Sequence, residues 1–426
     1  MQKSIALHAF LVTYLTISIA LLPRAAAQAE QSQHISSQLT SIMLRAEAGE
    51  PEAEYRLGQV YAYGVGVAVD YVEAAKWWTL AARQGIASAQ NELGYSYAHE
   101  RGVRQDCSQA LHWLQAAAEQ GLASGQYNLA HEYEYGPCAQ QDFSQAVAWY
   151  QKAAEQGFAP AENNLGMMYE NGKGVPRDFN RAMQLFQRSA VQGLSAAAQH
   201  NLGVAYSSGL GVPRDYAEAL DWFRKAASQG LSDSYYSICN MYEQGKGVPR
   251  NYIEAGRWCR KSAEAGLALG QTLLGSFYFE GKGVPQDYTQ ALHWWRLAAQ
   301  QGEPLAQNGV GWIYLKCLGV RCDVREAAEW FHKSAEQGCV IAQKNLGYLF
   351  EHGQGVPVDY PEAHKWYRLS AEKGDSLAKS AMKALAQIMT KKQLRESESR
   401  ASAWQQSKGK TIQASAATDA SGETLN

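Results

Sequence analysis

The chain has 426 residues, 46% of them hydrophobic, and a formal net charge of −2. This composition is ordinary for a globular protein and excludes a collagen-like or wholly disordered chain. The lysines and arginines are spread evenly along the sequence and form no basic stripe. The sequence therefore predicts no nucleic-acid partner.

The N-terminus differs from everything that follows it. Lys3 precedes an apolar run from Ile5 to Leu22, and then come Pro23 and the small residues Ala25 and Ala27. A basic residue, an apolar stretch and small residues in this order are typical of a signal peptide. The alternative is a retained membrane anchor, because a run of about 18 residues lies at the lower edge of the length that spans a bilayer.

Pro23 and the alanine cluster favour the signal peptide, since a peptidase needs small residues and an anchor does not. Cleavage is expected before Gln28, and Ala29 offers a second choice. We therefore expect residues 1–27 to be a signal peptide and residues 28–37 to be a linker. No later run is long enough to span a membrane. This predicts an exported protein, periplasmic or secreted.

One pattern recurs nine times from about residue 50, at a step of 36 residues, with one residue inserted between the fourth and fifth copies. A period of this size predicts a solenoid, in which each unit buries its apolar face against its neighbours. The aromatic residues that mark the nine copies are Tyr61, Tyr97, Tyr133, Tyr169, Tyr206, Tyr242, Tyr278, Tyr314 and Phe350.

The fourth copy shows how one unit folds. Ala161, Leu165 and Tyr169 recur at helical spacing, which predicts a first helix, helix A, that ends at Gly172. Asp178 is placed to cap a second helix, helix B, and Glu or Gln three residues after the cap completes a capping box in most copies. Each copy is therefore predicted to be an αα-hairpin.

Small and large residues of the pattern are predicted to face each other inside the hairpin. Glycine in the Leu-Gly pair and alanine in helix B let the helices approach, and the aligned tryptophans are expected to fill the seam. These tryptophans are Trp77, Trp113, Trp149, Trp222, Trp258, Trp294, Trp330 and Trp366.

The consensus A-x-x-x-L-G-x-x-Y-x-x-G-x-G-V-x-x-D-x-x-x-A-x-x-W resembles the Sel-one-like (Sel1-like) repeat, a relative of the tetratricopeptide repeat. The resemblance covers residues 38–396. It implies an all-α fold, a right-handed α-solenoid of nine 36-residue αα-hairpin repeats with helical caps. Local departures from the pattern are Glu100, Cys138 and Cys317 in the loops, Ala130 and Cys239 in the Leu-Gly pair, and Leu185 for the tryptophan.

The full repeats are expected at about residues 50–374. Residues 39–48 before them form a lone helix B, and residues 375–396 form a C-terminal cap helix, since a solenoid needs caps to keep its terminal core faces dry. A bias toward Ser, Ala, Gly and Thr predicts a disordered tail at residues 397–426.

The seven cysteines fit an oxidising compartment, and their odd number leaves at least one unpaired. Cys239 and Cys259 replace a glycine and an aromatic residue at the seam, where buried thiols and a disulfide are both open. Cys339 is expected to be the unpaired cysteine. The expected loop disulfides are Cys317 with Cys322 and Cys107 with Cys138.

No catalytic or metal-binding motif is present. The Gly172–Gly174 segment follows a helix and lacks the spacing of a phosphate loop. The pairs His99-Glu100 and His131-Glu132 lack a second histidine one turn later. Distant residues seldom converge in a solenoid, because each unit contacts mainly its neighbours. We expect no enzyme activity, no cofactor and no metal.

Function is then expected in the positions that the pattern leaves free. By the tetratricopeptide resemblance, those on helix A project toward a concave side, and Tyr, Asn and His suit recognition of a protein or peptide. Trp312, Tyr127 and Tyr135 are the expected anchors. The alternative is a solvated face without a partner. The positions are Tyr55, Tyr63, Asn91, Tyr95, His99, Tyr127, His131, Tyr135, Asn163, Met167, Asn171, His200, Tyr236, Asn240, Asn308, Trp312, Lys316, Tyr348 and His352.

The sequence therefore predicts a non-enzymatic scaffold or adaptor that binds a protein or peptide on the concave helix-A face. The resemblance implies a bacterial protein, since exported bacterial members act as adaptors in the cell envelope or in contact with a host cell. The alternatives are an envelope regulator of peptidoglycan or polysaccharide machinery and a host-interaction factor. A hydrolase of cell-wall fragments is less favoured.

Overall fold

The structure of the protein is a computed structural model that describes residues 37–191 and 195–421, with side chains as far as residue 408. The expected signal peptide, and all of the expected linker but its last residue, lie outside the described residues. Every regular element in the described ranges is a helix, and no strand occurs there. The chain divides into two compact units, and the boundary falls between Phe158 and Ala159.

The first unit contains a leading helix and three hairpins. Helix α1 covers residues 37–47. Its Leu39 and Met43 pack against Leu57, so α1 covers the first hairpin in the manner of a lone helix B. The hairpins are α2 Pro51–Tyr63 with α3 Tyr71–Arg83, α4 Ala87–Ala98 with α5 Cys107–Glu119, and α6 Ala123–Tyr135 with α7 Phe143–Glu155.

The second unit contains six further hairpins and two final helices. The hairpins are α8 Ala159–Asn171 with α9 Phe179–Val191, α10 Ala196–Ser208 with α11 Tyr216–Ser228, α12 Ser232–Gln244 with α13 Tyr252–Glu264, α14 Ala268–Glu280 with α15 Tyr288–Gln300, α16 Pro304–Lys316 with α17 Val324–Glu336, and α18 Val340–His352 with α19 Tyr360–Glu372. The final helices are α20 Ser376–Ile388 and α21 Lys391–Ser421.

The hairpins are numbered here as repeats 1–9, and in each the first helix is helix A and the second is helix B. This confirms the all-α fold class, an α-solenoid of nine αα-hairpin repeats. None of the described helices combines the length and the apolar character needed to cross a bilayer.

Helix B begins where the sequence predicts, because a side chain caps its first turn. The Asp70 carboxylate accepts hydrogen bonds from the backbone N–H groups of Val72 (2.9 Å) and Glu73 (3.0 Å). Such a cap stabilises a helix by about 1 kcal/mol relative to alanine. The equivalent caps are Asp106, Asp142, Asp178, Asp215, Asn251, Asp287, Asp323 and Asp359.

The seam of each hairpin is filled by the residue after the aligned tryptophan. Trp78 is 1% exposed, while Trp77 is half-buried. One step along a helix turns the side chain by about 100°, and here that step points the second residue at helix A. Of the aligned tryptophans, Trp222 and Trp366 are buried and the other six are half-buried. All eight pack against apolar clusters of the core, as predicted, but the residue that faces the glycine in the seam is the next one along helix B. The buried fillers are Trp78, Leu114, Tyr150, Phe186, Phe223, Cys259, Trp295, Phe331 and Tyr367.

The glycine of the Leu-Gly pair makes room for these fillers. A Cβ atom on Gly58 would lie 2.4 Å from the Trp78 ring, and one on Gly203 would lie 2.5 Å from the Phe223 ring. Neither distance is a possible Cβ contact, so a side chain here would push the aromatic ring away. The close approach of the two helices therefore requires a glycine at this position. The small residue on helix A and the large residue on helix B depend on each other.

Three disulfides are present, and one of them lies in the seam. Cys239 takes the place of the seam glycine in repeat 6, and Cys259 takes the place of the filler that faces it. The disulfide therefore replaces the contact between glycine and aromatic ring. Both side chains are fully buried. Of the two alternatives that the sequence left open for this pair, the structure has the disulfide.

The two loop disulfides join the pairs expected from the sequence. Cys138 stands at the second loop glycine of repeat 3, and Cys107 is the first residue of helix B in repeat 2. Cys317 stands at the first loop glycine of repeat 8 and adopts its left-handed backbone, with a φ of 58°, before it bonds to Cys322. Cys339 is the unpaired cysteine.

The C-terminal end differs from the prediction. In place of one cap helix over residues 375–396, α20 ends at Ile388, the backbone is extended at Met389, and α21 begins at Lys391. Helix α21 continues to Ser421, through most of the segment predicted to be a disordered tail. The prediction of disorder is therefore wrong for the described residues beyond 396.

Helix α21 is held by a few side chains that reach helices B of repeats 8 and 9. The Trp404 indole N–H donates a hydrogen bond to the Glu336 carboxylate at 2.9 Å, and its ring meets Trp366 edge-on at 5.9 Å. Arg400 pairs with Asp359 at 2.8 Å. The average composition of the segment is polar, so an argument from composition misses these few anchors.

Candidate binding site

The predicted binding residues occupy three rows, at the fifth, ninth and thirteenth places counted from the start of helix A. The structure divides them by exposure. Asn91 and Asn163 are buried. The half-buried residues are Tyr55, Tyr95, Tyr127, His131, Met167, His200, Tyr236, Asn240, Asn308 and Trp312. The exposed residues are Tyr63, His99, Tyr135, Asn171, Lys316, Tyr348 and His352.

The asparagines join neighbouring helices A to each other. Asn128 donates a hydrogen bond from its amide to the Asn91 side-chain oxygen at 2.8 Å, and Asn345 donates one to Asn308 at 3.0 Å. Asn91 is 5% exposed and Asn163 is 6% exposed. The structure therefore does not offer these two amides to a partner, in contrast to the prediction. Asn308 is half-buried and reaches the surface.

The helix-A face of repeats 2 and 3 is a cluster of tyrosine, histidine and glutamate. The rings of Tyr95 and His99 lie 4.2 Å apart, and His99 Nε2 lies 3.5 Å from a Glu132 carboxylate oxygen. Tyr127 packs between the rings of Tyr150, at 5.6 Å, and Phe158, at 5.5 Å. Tyr127, an expected anchor, is thus part of the packing of repeat 3.

Burial governs the electrostatics of this cluster. It raises the pKa of the Glu132 carboxyl, against the smaller opposite effect of a hydrogen bond from the Cys138 backbone N–H. It also raises the pKa of Tyr135 to about 12, helped by the neighbouring Glu134. Tyr135 is 57% exposed and is the expected anchor of this unit that remains on the surface.

Two histidines outside this cluster are also tied to neighbours. His200 Nδ1 lies 2.9 Å from the Ser234 hydroxyl, and burial lowers the pKa of this histidine, which favours its neutral form. The ring of His352 stacks on Tyr348 at 4.2 Å. Both contacts lie within the second unit and connect or cover helices A.

A groove of about 560 Å³ lies across the helices A of repeats 6–9. Three predicted binding residues line it: Tyr236, Asn308 and Trp312. The Lys316 ammonium lies 5.1 Å from the centre of the Trp312 ring, just beyond them on the same helix. The structure thus brings together, in one groove, one expected anchor and two further members of the predicted set.

The groove also contains a row that the sequence reasoning missed. Leu269, Leu305 and Ile341 line it from the second place of helix A in repeats 7, 8 and 9. They are 43%, 53% and 47% exposed. The signal was available in the sequence, because aliphatic residues recur at this place at the 36-residue step only in the last copies.

The groove is open and has no constellation of reactive groups. Within the residues whose side chains the structure describes, no group of three or more His, Cys, Asp or Glu side chains is placed to hold a metal ion. Apolar walls with a few amide, hydroxyl and charged groups are typical of a surface that binds another molecule. The fold and the groove therefore define a helical repeat protein of the tetratricopeptide-related class.

The chain belongs to the Sel1 repeat family. The family model of the Sel1 repeat matches nine segments that coincide with the hairpins and together cover more than half of the chain. These segments are residues 51–86, 87–122, 123–158, 159–194, 196–231, 232–267, 268–303, 304–339 and 340–375. Sel1 repeat proteins are generally protein-interaction scaffolds and typically have no catalytic activity.

Two solved structures show the similarity over most of the chain. One is a protective antigen of uropathogenic Escherichia coli strains with an SLR fold, at 35% identity and a TM-score of 0.71, covering 86% of this chain and 78% of that one. The other is a Sel1 repeat protein from Oxalobacter formigenes, at 32% identity and a TM-score of 0.53, covering 73% of this chain and 89% of that one. A search of curated proteins gave no match.

Proposed function

We propose that this protein is a non-enzymatic scaffold that binds a protein or peptide partner on the helix-A face of its repeats. The groove across repeats 6–9 carries the proposal, because it combines the half-buried Trp312 with hydroxyl and amide groups from Tyr236 and Asn308. A large aromatic side chain beside hydrogen-bonding groups is the composition of an interaction hot spot. Membership in the Sel1 repeat family supports a scaffold role.

The proposal includes export from a bacterial cell, to the periplasm or beyond it. Three observations support export: the signal-peptide pattern at residues 1–27, the three disulfides, which persist in oxidising compartments, and the similarity to a protective antigen. The last of these also favours a partner met in contact with a host over one in the envelope.

The binding site is tested by crosslinking in intact cells, followed by affinity purification and mass spectrometry. The test variant combines Trp312→Ala and Tyr236→Ala, and the matched control is Ile253→Ala, an exposed apolar residue on helix B of repeat 6 that lies outside the groove. We expect the control to recover the same partner as the wild type and the test variant to lose it, with unchanged helical circular dichroism. Full recovery by the test variant would remove the groove from the proposal.

Export is tested separately by expressing the full chain in a bacterium and measuring the intact mass of the protein in each cell fraction. We expect the periplasmic or secreted protein to lack residues 1–27. A full-length protein confined to the cytoplasm contradicts export and leaves the binding site unaffected.

A further inference from the structure

We propose that the groove of repeats 6–9 binds an amphipathic helix of the partner, with aliphatic side chains along one face and lysine or arginine beside them. This inference rests on the proposed function, and it adds the shape and the chemistry of the bound segment.

The aliphatic row is the first observation. Leu269, Leu305 and Ile341 stand at one place in three consecutive helices A, and each exposes more than two fifths of its surface. Single exposed aliphatic residues are common, but a contiguous apolar patch marks an interaction site. Among the nine repeats the row occurs in repeats 7–9 alone, because the first six repeats carry at this place Glu52, Ser88, Ser124, Pro160, Ala197 and Asp233.

The spacing of the row favours a helix as the bound segment. The row is carried by the helices A of consecutive repeats, and helices in contact lie about 8–10 Å apart. Apolar residues seven apart on an α-helix are about 10.5 Å apart, close to the upper end of that range, and those three or four apart fill the space between them. Side chains on one face of a β-strand are about 6.8 Å apart, which is shorter than the separation of neighbouring helices that carry the row.

The groove has further apolar lining for those intermediate side chains. Leu273 and Phe279 of α14 and Trp312 of α16 line it together with the aliphatic row. Gly309 has no side chain, and a Cβ atom there would lie 2.6 Å from the Trp295 ring. The wall of the groove is therefore formed at this point by the indole ring itself, an apolar surface suited to an aliphatic side chain.

The charged side chains of the groove indicate which charge the bound segment should carry. Three charged residues line the groove: Glu280, Glu303 and Lys344. Lys344 pairs with Asp375 at 3.4 Å, and Glu280 pairs with Lys282.

The third charge, on Glu303, is uncompensated. Glu303 has no ion pair within 4.0 Å among the residues that the structure describes. It lies at the start of α16, two residues before Leu305. Among the charged residues that line the groove, Glu303 is thus the one that the structure leaves without an ion pair beside the aliphatic row, which favours lysine or arginine there.

Fluorescence anisotropy with designed peptides tests the inference. The probe is a fluorescein-labelled amphipathic peptide of about four helical turns, with leucine at i, i+3, i+4 and i+7 and lysine on the flanks. One comparison peptide has glutamate for lysine, and another is proline-rich with the same leucines. The test variant is Leu269→Ser, Leu305→Ser and Ile341→Ser together. The matched control is Leu377→Ser, at the same place of α20, where the leucine is 68% exposed and lies outside the groove.

We expect the wild type and the Leu377→Ser control to bind the lysine peptide equally and the triple variant to bind at least about tenfold more weakly. Glu303→Gln should weaken that binding by about threefold and should not weaken binding of the glutamate peptide, whose charge the Glu303 carboxylate repels. The bound peptide should gain helical circular dichroism.

Three results would overturn the inference: no binding of the lysine peptide by the wild type, equal binding by the triple variant, or tighter binding of the glutamate or proline-rich peptide. The proposed function is judged by other data. If no peptide binds but Trp312→Ala with Tyr236→Ala still abolishes recovery of the cellular partner, the scaffold role stands and the chemistry of the partner is different.

Discussion

The helix-A faces of repeats 1–3 and of repeats 7–9 are built on the same framework but differ in what their free positions do. In repeats 1–3, Tyr127 packs on neighbouring rings and His99 approaches Glu132. In repeats 7–9, the aliphatic row that includes Leu305 is exposed along a groove. The comparison teaches that a variable position in a repeat is a candidate for binding only if its side chain is not already used in contacts within the chain.

The largest expected effect concerns the disulfide in repeat 6, which joins α12 to α13 and has no counterpart in the seams of repeats 1–3. Replacing Cys239 and Cys259 by serine should lower the free energy of unfolding of the second unit by about 3 kcal/mol, because the unfolded chain loses a closed loop. Guanidinium unfolding without reductant measures it. The comparison variant, Cys239→Gly with Cys259→Phe, restores the packing of the other seams but not the closed loop, so it should recover at most the part of the loss that comes from packing. An unchanged midpoint in the serine variant contradicts this assignment.

The second prediction separates packing from binding. Tyr127→Ala should destabilise the first unit by about 2 kcal/mol, because the ring loses its contacts with Tyr150 and Phe158. Tyr348→Ala in repeat 9 should lower stability by less than about 1 kcal/mol, since Tyr348 is 42% exposed and its ring stacks on the exposed His352. Thermal unfolding of both variants measures the difference. Equal losses would show that the two faces do not differ in their internal packing.

The third prediction tests the shared framework beneath the two faces. Gly58→Ala in repeat 1 and Gly275→Ala in repeat 7 should each destabilise by about 1–2 kcal/mol, because the new Cβ atom would lie 2.4 Å from Trp78 and 2.5 Å from Trp295. The control is Gly256→Ala, whose Cβ atom would have its nearest neighbour at 3.5 Å. Alanine there should stabilise by about 0.5–1 kcal/mol through its higher helix propensity. Unequal losses at Gly58 and Gly275 would mean that the frameworks differ.

The smallest effect is a dependence on pH that only the first face should show. Burial raises the pKa of Glu132, so its contribution to stability is present below the unfolded pKa of about 4.3 and is lost as the pH rises through the folded pKa. Glu132→Gln should therefore be more stable than the wild type at pH 7, by a margin that shrinks toward pH 4. Urea midpoints at the two pH values measure it. The stability difference between Leu305→Ser and the wild type should be the same at pH 7 and pH 4. A stability difference for Glu132→Gln that is the same at both pH values would contradict the prediction.

The framework of the fold was predictable because its signals are local. The cap at Asp70 and the clash that excludes a side chain at Gly58 each belong to one hairpin, and the 36-residue step repeats them. The seam filler was misassigned because the conspicuous residue of the pattern, such as Trp77, is one place away from the residue that faces helix A. Trp78 and its equivalents vary in type, so their shared role is visible only in the structure.

The candidate site was predictable in part. Trp312 and Asn308 were found because they occupy free positions on helix A, and both line the groove. Leu305 was missed because the predicted rows began at the fifth place of the helix. The burial of Asn91 depends on the helix of the next repeat, whose Asn128 covers it, and one copy of the pattern does not contain that contact.

Hydrogen–deuterium exchange with the lysine-flanked amphipathic peptide tests most directly whether recognition lies in repeats 6–9. Protection on binding should be confined to the helices A of those repeats, α12, α14, α16 and α18, where the groove residues lie. Helices α4 and α6 of the first unit should exchange at the same rate with and without the peptide. Protection of α4 and α6, with none in α14 and α16, would contradict the account.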